Sequence, residues 1–344
     1  MKHDVIGSAL PRVKCCARDG GRLPSYNAFI APKAHNNVNP AVRDSDLILN
    51  AIVDDRDFSC ALTASKTEWH GTSSANVDWS IYQGSSESVL QALPEASVNC
   101  VVTSPPYYWL RDYGVEGQIG LEETVEGYVD SVCNVMDAIK RVLRSDGLLF
   151  LNLGDTYYSG KGASHGTDKK SNKRRFGLRA VDKSGGLGIG LQRKSAIGIP
   201  WRVAIEMSTR GWVLRSPIIW HRENCLPEPV ADRPSRSYEH LFMFALSRKY
   251  FFNKRPLIEQ RVEEDMWTIA ARPKAGTGLD TAPYPDELVK RCLEIGCPEA
   301  GVVLDPFLGS GTTARVAVSM GRSAIGIDLN HEFCTYAAKQ LDTL

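Results

Sequence analysis

Two short segments of this chain combine residue types whose spacing can do chemistry. The first is Thr103-Ser104-Pro105-Pro106-Tyr107. Consecutive prolines fix the backbone and carry no N–H, which leaves carbonyl acceptors without competing donors. Beside the Ser104 hydroxyl, such rigid acceptors can grip an amino group through its hydrogens, and Tyr107 offers a flat face for stacking. The exocyclic amine of a base is a weak nucleophile because its lone pair is delocalised into the ring. Accepting its N–H hydrogens favours the pyramidal geometry in which that lone pair can attack, and fixed dipoles with in-line placement supply most of the catalysis. Alone, a Pro-Pro pair after a strand is most often only a turn.

The second segment is Asp305-Pro306-Phe307-Leu308-Gly309-Ser310-Gly311-Thr312-Thr313. It follows a strand and opens a helix, the place where an open α/β sheet binds a cofactor beyond its strand ends. The next strand closes on Asp328, an acid about twenty residues on, placed to accept from ribose hydroxyls. A phosphate loop needs a Lys before its Thr, and Ser310-Gly311-Thr312-Thr313 has none. A dinucleotide fingerprint asks for three glycines. Asp305 would repel pyrophosphate but can pair with an ammonium group, as in the methionine of S-adenosylmethionine. The charge logic favours a cationic cofactor.

These segments need elements to carry them. Val98–Thr103 reads as a short buried strand stopped by the prolines. Thr124–Arg144 reads as an amphipathic helix with Tyr128, Val132, Val135, Met136 and Ile139 on one face, followed by Gly147 and a strand over Leu148–Leu153. Pro200 opens a helix, and strands follow over Val213–Trp220 and Leu241–Leu246. Near the C-terminus Pro285 starts a helix, Val302–Leu304 is a strand, Gly311–Met320 a helix, Ala324–Ile327 a strand and His331–Leu341 a helix. Strands alternating with helices imply a parallel sheet covered on both faces. Residues 1–76 carry scattered prolines and no periodic element, as a partly ordered extension or a small accessory unit would.

The 344 residues are long enough for a full core, and 43% hydrophobic with 24% charged is ordinary for a soluble protein. No apolar run approaches a membrane span, and the first residues lack a secretory signal. The nine cysteines show no paired metal spacing and fit reduced thiols in a cytosol-like compartment. Net charge is only +1, yet Lys161 to Lys194 alone carries +8. Lys169, Lys170, Lys173, Arg174, Arg175 and Arg179 form the centre of this Gly- and Ser-rich stretch. It is either a solvated loop or a footprint for a polyanion.

Taken together, the two segments resemble the beta-class amino-methyltransferases of bacterial and phage DNA, in which the Pro-Pro motif precedes the Gly-rich motif. The resemblance runs from about Trp79 to the C-terminus. It includes Ser195 to Arg202, Gly211-Trp212, Ile218 to His221, Asp232-Arg233-Pro234, Glu239-His240 and Tyr284-Pro285. It implies a Rossmann-like, S-adenosylmethionine-dependent fold, a seven-stranded mostly parallel sheet with helices on both faces plus DNA-recognition insertions. A catalytic domain would occupy residues 77–344, with the basic loop 157–195 and the segment 224–278 as recognition candidates.

By position, the resemblance assigns Asp305, Pro306, Phe307, Gly309, Ser310, Gly311, Thr312, Thr313, Asp328, Tyr284 and Pro285 to S-adenosylmethionine. Ser104, Pro105, Pro106 and Tyr107 would hold an everted base of double-stranded DNA, and the six basic residues would contact phosphates. Ser104 at the head of its tetrapeptide is similar to the N4-cytosine members; adenine members more often carry Asp or Asn. No metal is implied. A cytoplasmic monomer or homodimer, with a possible cognate restriction endonuclease, completes the expectation. Two positions depart from the pattern: Gly84-Ser85 stands where relatives usually have Gly-Asp, and Asp280-Thr281-Ala282 where many have His-Phe-Ala. The alternatives are N6-adenine methylation, an RNA substrate, or a DNA-binding protein with a decayed site.

Overall fold

The computed structural model describes residues 67–158, 191–225, 228, 230–262, 264–271 and 283–344. In chain order the first half runs β1 (Thr67–Thr72), β2 (Asp78–Gln83), α1 (Ser86–Ala92), β3 (Val98–Thr103), α2 (Val125–Val142) and β4 (Leu143–Leu153). Next come α3 (Ile199–Thr209), β5 (Val213–His221), β6 (Tyr238–Ala245), α4 (Arg255–Glu259) and β7 (Met266–Thr268). The last part is α5 (Asp286–Gly296), β8 (Val302–Asp305), α6 (Thr312–Ser319), β9 (Ser323–Asp328) and α7 (His331–Leu341).

Among the described residues nine strands form one sheet in the order β1-β2-β9-β8-β3-β4-β6-β5-β7. Strands β2, β9, β8, β3 and β4 run parallel, whereas β6 is antiparallel to both of its neighbours. The count exceeds the expected seven because each edge gains a strand. On one side β1 makes a hairpin with β2, and on the other three-residue β7 lies parallel to β5. β1 falls inside the stretch expected to be extension, so the sheet begins ten residues before position 77. Its alternation is half-exposed and polar on an edge, which hides it from a search for apolar runs.

Helix α2 shows why the periodicity could be trusted. Thr124 accepts from the Gly127 N–H as its N-cap, and Tyr128, Val132, Val135, Met136 and Ile139 are all buried against the sheet. Burying each such side chain stabilises the fold by about 1.5–3 kcal/mol. One apolar layer holds α1, α2 and α3; the opposite layer holds α5, α6 and α7. Segment 224–278 is not one insertion, because β6 and β7 lie within it and bury Leu241, Phe242, Phe244 and Trp267. No helix among the described residues is long and apolar enough to cross a membrane.

The order of strands fixes where a ligand can sit. From β8 the chain proceeds to β9 on one side, and from β3 to β4 on the other. The reversal falls between β8 and β3, which pair directly through Cys100–Val303 and Val101–Leu304. A crevice opens at such a switch point beyond the carboxyl ends. Both chemical segments leave the sheet there.

Candidate active site

A single buried carboxylate joins the two strand ends. Asp305, 2% exposed, accepts through Oδ1 from the Thr103 hydroxyl at 2.7 Å and the Phe307 N–H at 3.1 Å. Its Oδ2 faces the hydroxyls of Thr313 at 2.7 Å and Tyr284 at 3.1 Å. Burial pushes its pKa up against these donors. With two protein groups on each oxygen, Asp305 is a strut between β3, β8 and α6. This corrects the expectation that it offers a free carboxylate to an ammonium group.

The Gly-rich turn leaves an anion-binding geometry at the start of α6. Gly311 is its N-cap at φ 81, a left-handed conformation that supplies no side-chain acceptor for the first amides. A β-carbon there would also lie 2.7 Å from that of Ala337, so glycine is required. Among the described residues the buried Thr312 hydroxyl has no partner, and Thr312 lines the cleft. Open amides and an orphaned hydroxyl at a helix N-terminus fit a carboxylate. Alongside, Asp328 accepts from Gly309 N–H through Oδ2 and from Asn330 N–H through Oδ1, both at 2.8 Å. Each of these oxygens retains a further acceptor site for a diol. The residues present fit a zwitterionic nucleoside.

At the other end of the cleft the Pro-Pro segment is held from several sides. The Pro106 carbonyl accepts from the Tyr128 hydroxyl at 2.9 Å, which leaves one lone pair for a further donor. Tyr107 donates to Glu239 Oε2 at 2.6 Å, and its oxygen also lies 3.0 Å from Asn152 Oδ1. Burial first, and then Glu239, push the phenol well above the usual tyrosine range, so it keeps its proton. Behind the ring, a β-carbon at Gly154 would sit 2.6 Å from Tyr107 Cε2. Only glycine lets the ring lie there.

One cleft of about 1360 Å³ takes in both ends. It is lined by Ser104, Pro105, Pro106 and Tyr107, and by Tyr284, Asp305, Pro306, Phe307, Gly309, Ser310, Thr312 and Asp328. Three expected residues lie off it. Gly311 is turned against α7, Thr313 is buried on Asp305 and the Val102 carbonyl, and Pro285 caps α5. Lys169 to Arg179 lie outside the described residues.

The cleft also holds residues that sequence reasoning left without a role: Asn152, Glu239, Leu329 and Phe333. Leu329 follows the β9 acid directly and Phe333 lies in the first turn of α7, which was the available signal. At the departure Gly84-Ser85, Ser85 caps α1 by accepting from Ser88 N–H at 3.2 Å, and it lines the cleft. His240 is packed between Trp201, Tyr238 and Phe242, and burial lowers its pKa, so it is a neutral structural ring. Cys100 is a fully buried core residue.

The strand-end carboxylate under the Gly-rich turn and the Pro-Pro-Tyr segment thus face one crevice. The family profile for N6/N4 methyltransferases, described as DNA methylase, matches residues 98–339. The chain belongs to this family of S-adenosylmethionine-dependent DNA methylases. It is 42% identical over 267 residues to Type II methyltransferase M.XycI of Xanthomonas campestris pv. cyanopsidis, covering 76% of this chain and 87% of that protein. Type II methyltransferase M.SmaI of Serratia marcescens is 36% identical over 269 residues, covering 76% and 90%. Among solved structures, PvuII DNA methyltransferase (cytosine-N4-specific) superposes with TM-score 0.57 at 20% identity over 79% of this chain and 90% of that one. A putative DNA modification methylase of Thermus thermophilus, solved with S-adenosyl-L-methionine, gives TM-score 0.51 at 25% identity, covering 77% and 96%.

Proposed function

We propose that the chain is the modification enzyme of a Type II restriction-modification pair, methylating the exocyclic N4 of cytosine in duplex DNA. The observation that carries the reading is that the Ser104–Tyr107 clamp and the Gly309–Thr312 turn line one cleft. S-adenosylmethionine would supply an electrophilic methyl on a sulfonium that departs as a neutral thioether as the N–C bond forms, the methylated amine then losing a proton to solvent, with no covalent adduct to the base. The α6 amides and the Thr312 hydroxyl would hold its carboxylate, Asp328 its ribose, and Leu329 with Phe333 would wall its adenine.

On the other side, the Pro105 carbonyl and Ser104 hydroxyl accept hydrogens from the base amine, drawing its lone pair out of the ring. Tyr107 stacks on the everted base, and the cleft walls present fixed dipoles to the amine. Ser104 supports cytosine: a hydroxyl stands where adenine enzymes more often place Asp or Asn. Lys169 to Arg179 would hold phosphates, with the residues that precede β1 as an accessory extension. Digesting DNA modified by the enzyme to nucleosides and weighing the products tests the reading. N4-methylcytosine is expected; N6-methyladenine would overturn the base assignment, and no methylated DNA nucleoside would overturn the substrate.

The ribose contact carries a pH signature. Burial raises Asp328 from the ordinary 3.8 to about 6, outweighing its backbone donors Asn330, Gly309 and Leu329. Ribose hydroxyls donate best to the ionised form, so binding favours the deprotonated carboxylate. Affinity for S-adenosylmethionine should therefore hold above pH 6 and decline below it by up to about tenfold per pH unit. Titration calorimetry from pH 5 to 8 reads this directly. The same shift acts oppositely on the free protein, whose stabilising contribution from protonated Asp328 is present at acid pH and lost as pH rises through about 6. Asp328→Asn should bind more weakly and without this pH dependence.

A further inference from the structure

The Tyr107 hydroxyl has one hydrogen and two acceptors, and which acceptor wins sets the geometry of the clamp. Glu239 Oε2 lies at 2.6 Å and Asn152 Oδ1 at 3.0 Å. The amide cannot turn away without cost, because its Nδ2 donates to the His240 carbonyl at 3.1 Å. A charged acceptor at the shorter distance takes the hydrogen. Glu239 is itself held by Arg222, whose Nη1 donates to Oε1 at 3.1 Å. In turn the Ser104 hydroxyl points to the Tyr107 oxygen at 3.4 Å. The result is a one-way chain, Ser104 to Tyr107 to Glu239, ending on an anchored carboxylate. Each bond in such a chain polarises the next.

We propose that Glu239 is a positioning residue for amine methylation, acting through Tyr107 and Ser104. With the phenol hydrogen drawn to Glu239 and the ring backed by Gly154, the stacking plane of Tyr107 is fixed at its tip and its face. The Ser104 hydrogen is drawn toward the phenol, which leaves the serine lone pairs to accept from the incoming amine. The inference rests on the reading that Tyr107 and Ser104 hold the base. Replacing the carboxylate by an amide should reverse the chain. Arg222 would keep the glutamine oxygen, its NH₂ would face Tyr107, and the phenol hydrogen would pass to Asn152.

The test compares Glu239→Gln, Tyr107→Phe and the double variant in the full chain. Tritiated S-adenosylmethionine and amplified, unmodified bacterial DNA are the substrates. Glu239→Gln should lower kcat about tenfold to a hundredfold, with KM for S-adenosylmethionine unchanged within about twofold. Tyr107→Phe, which leaves the Arg222–Glu239 pair intact, should do the same. The double variant should be no slower than the slower single variant. Wild-type kcat in either single variant, or losses that multiply in the double, overturns the proposal. If Glu239→Gln fails to fold by its thermal melt, Tyr107→Phe alone decides, since it removes only the phenol oxygen. A Tyr107→Ala enzyme that still methylates would instead sink the base-clamp reading beneath it.

Discussion

Tyr107→Ala is expected to lower methyl transfer by about a thousandfold while leaving S-adenosylmethionine affinity within about twofold. Two losses combine. On the proposed reading the ring is the stacking partner of the everted base, a contact of about 1–3 kcal/mol. Its removal also frees the end of the Ser104 chain and opens space above Gly154, so the amine is no longer fixed in line. Misplacement of this kind costs about a hundredfold by itself. The cofactor end is spared because Thr312, Gly309 and Asp328 are held by α6, β8 and β9, with no bond to Tyr107. Calorimetry with S-adenosylmethionine and single-turnover tritium transfer separate the two effects. A Tyr107→Ala enzyme with near-native transfer would remove the Pro-Pro-Tyr segment from the reaction.

The second large effect is on the fold. Asp305→Ala should destabilise the protein by about 2–5 kcal/mol. It strands the Thr103 hydroxyl and the Phe307 N–H in a buried place, while the Tyr284 and Thr313 hydroxyls can turn to the Val102 carbonyl, within 3.4 Å and 3.2 Å. Since Asp305 ties β3 to β8, the two halves of the cleft should drift apart and cofactor binding should fall with stability. Asp305→Asn should recover most of the loss. Its oxygen still accepts from Thr103 and Phe307, and its NH₂ can donate to the hydroxyls. Urea unfolding reads the ranking wild type, Asn, Ala in falling midpoint. An Ala variant with the wild-type midpoint would show that Asp305 is no strut.

Much of the positioning framework was legible in the chain alone. The buried strands β3, β8 and β9 are short apolar runs closed by Pro or Asp, and α2 writes its buried face at helical spacing. These signals are local, so they survive without knowledge of the fold. β1 and β7 were missed for the matching reason: edge strands bury one face or almost nothing, and so leave little pattern. The strut role of Asp305 was not legible, because it depends on a partner far along the chain. Asp305 lies 202 positions from Thr103.

Residue order thus determined the chemistry available: an acceptor clamp, a Gly-rich turn, an acid one strand later. It also determined the family, because several motifs stand in one order. Only the tertiary structure decided which atoms remain free to act. Pairing β3 with β8 at the switch point brings the two segments to one crevice and consumes the Asp305 carboxylate in doing so. Crossing β6 antiparallel beside β4 delivers Glu239 and Asn152 to the tip of Tyr107. Hydrogen-bond capacity is finite and is allotted by three-dimensional neighbours, and no spacing along the chain can reveal how it is spent.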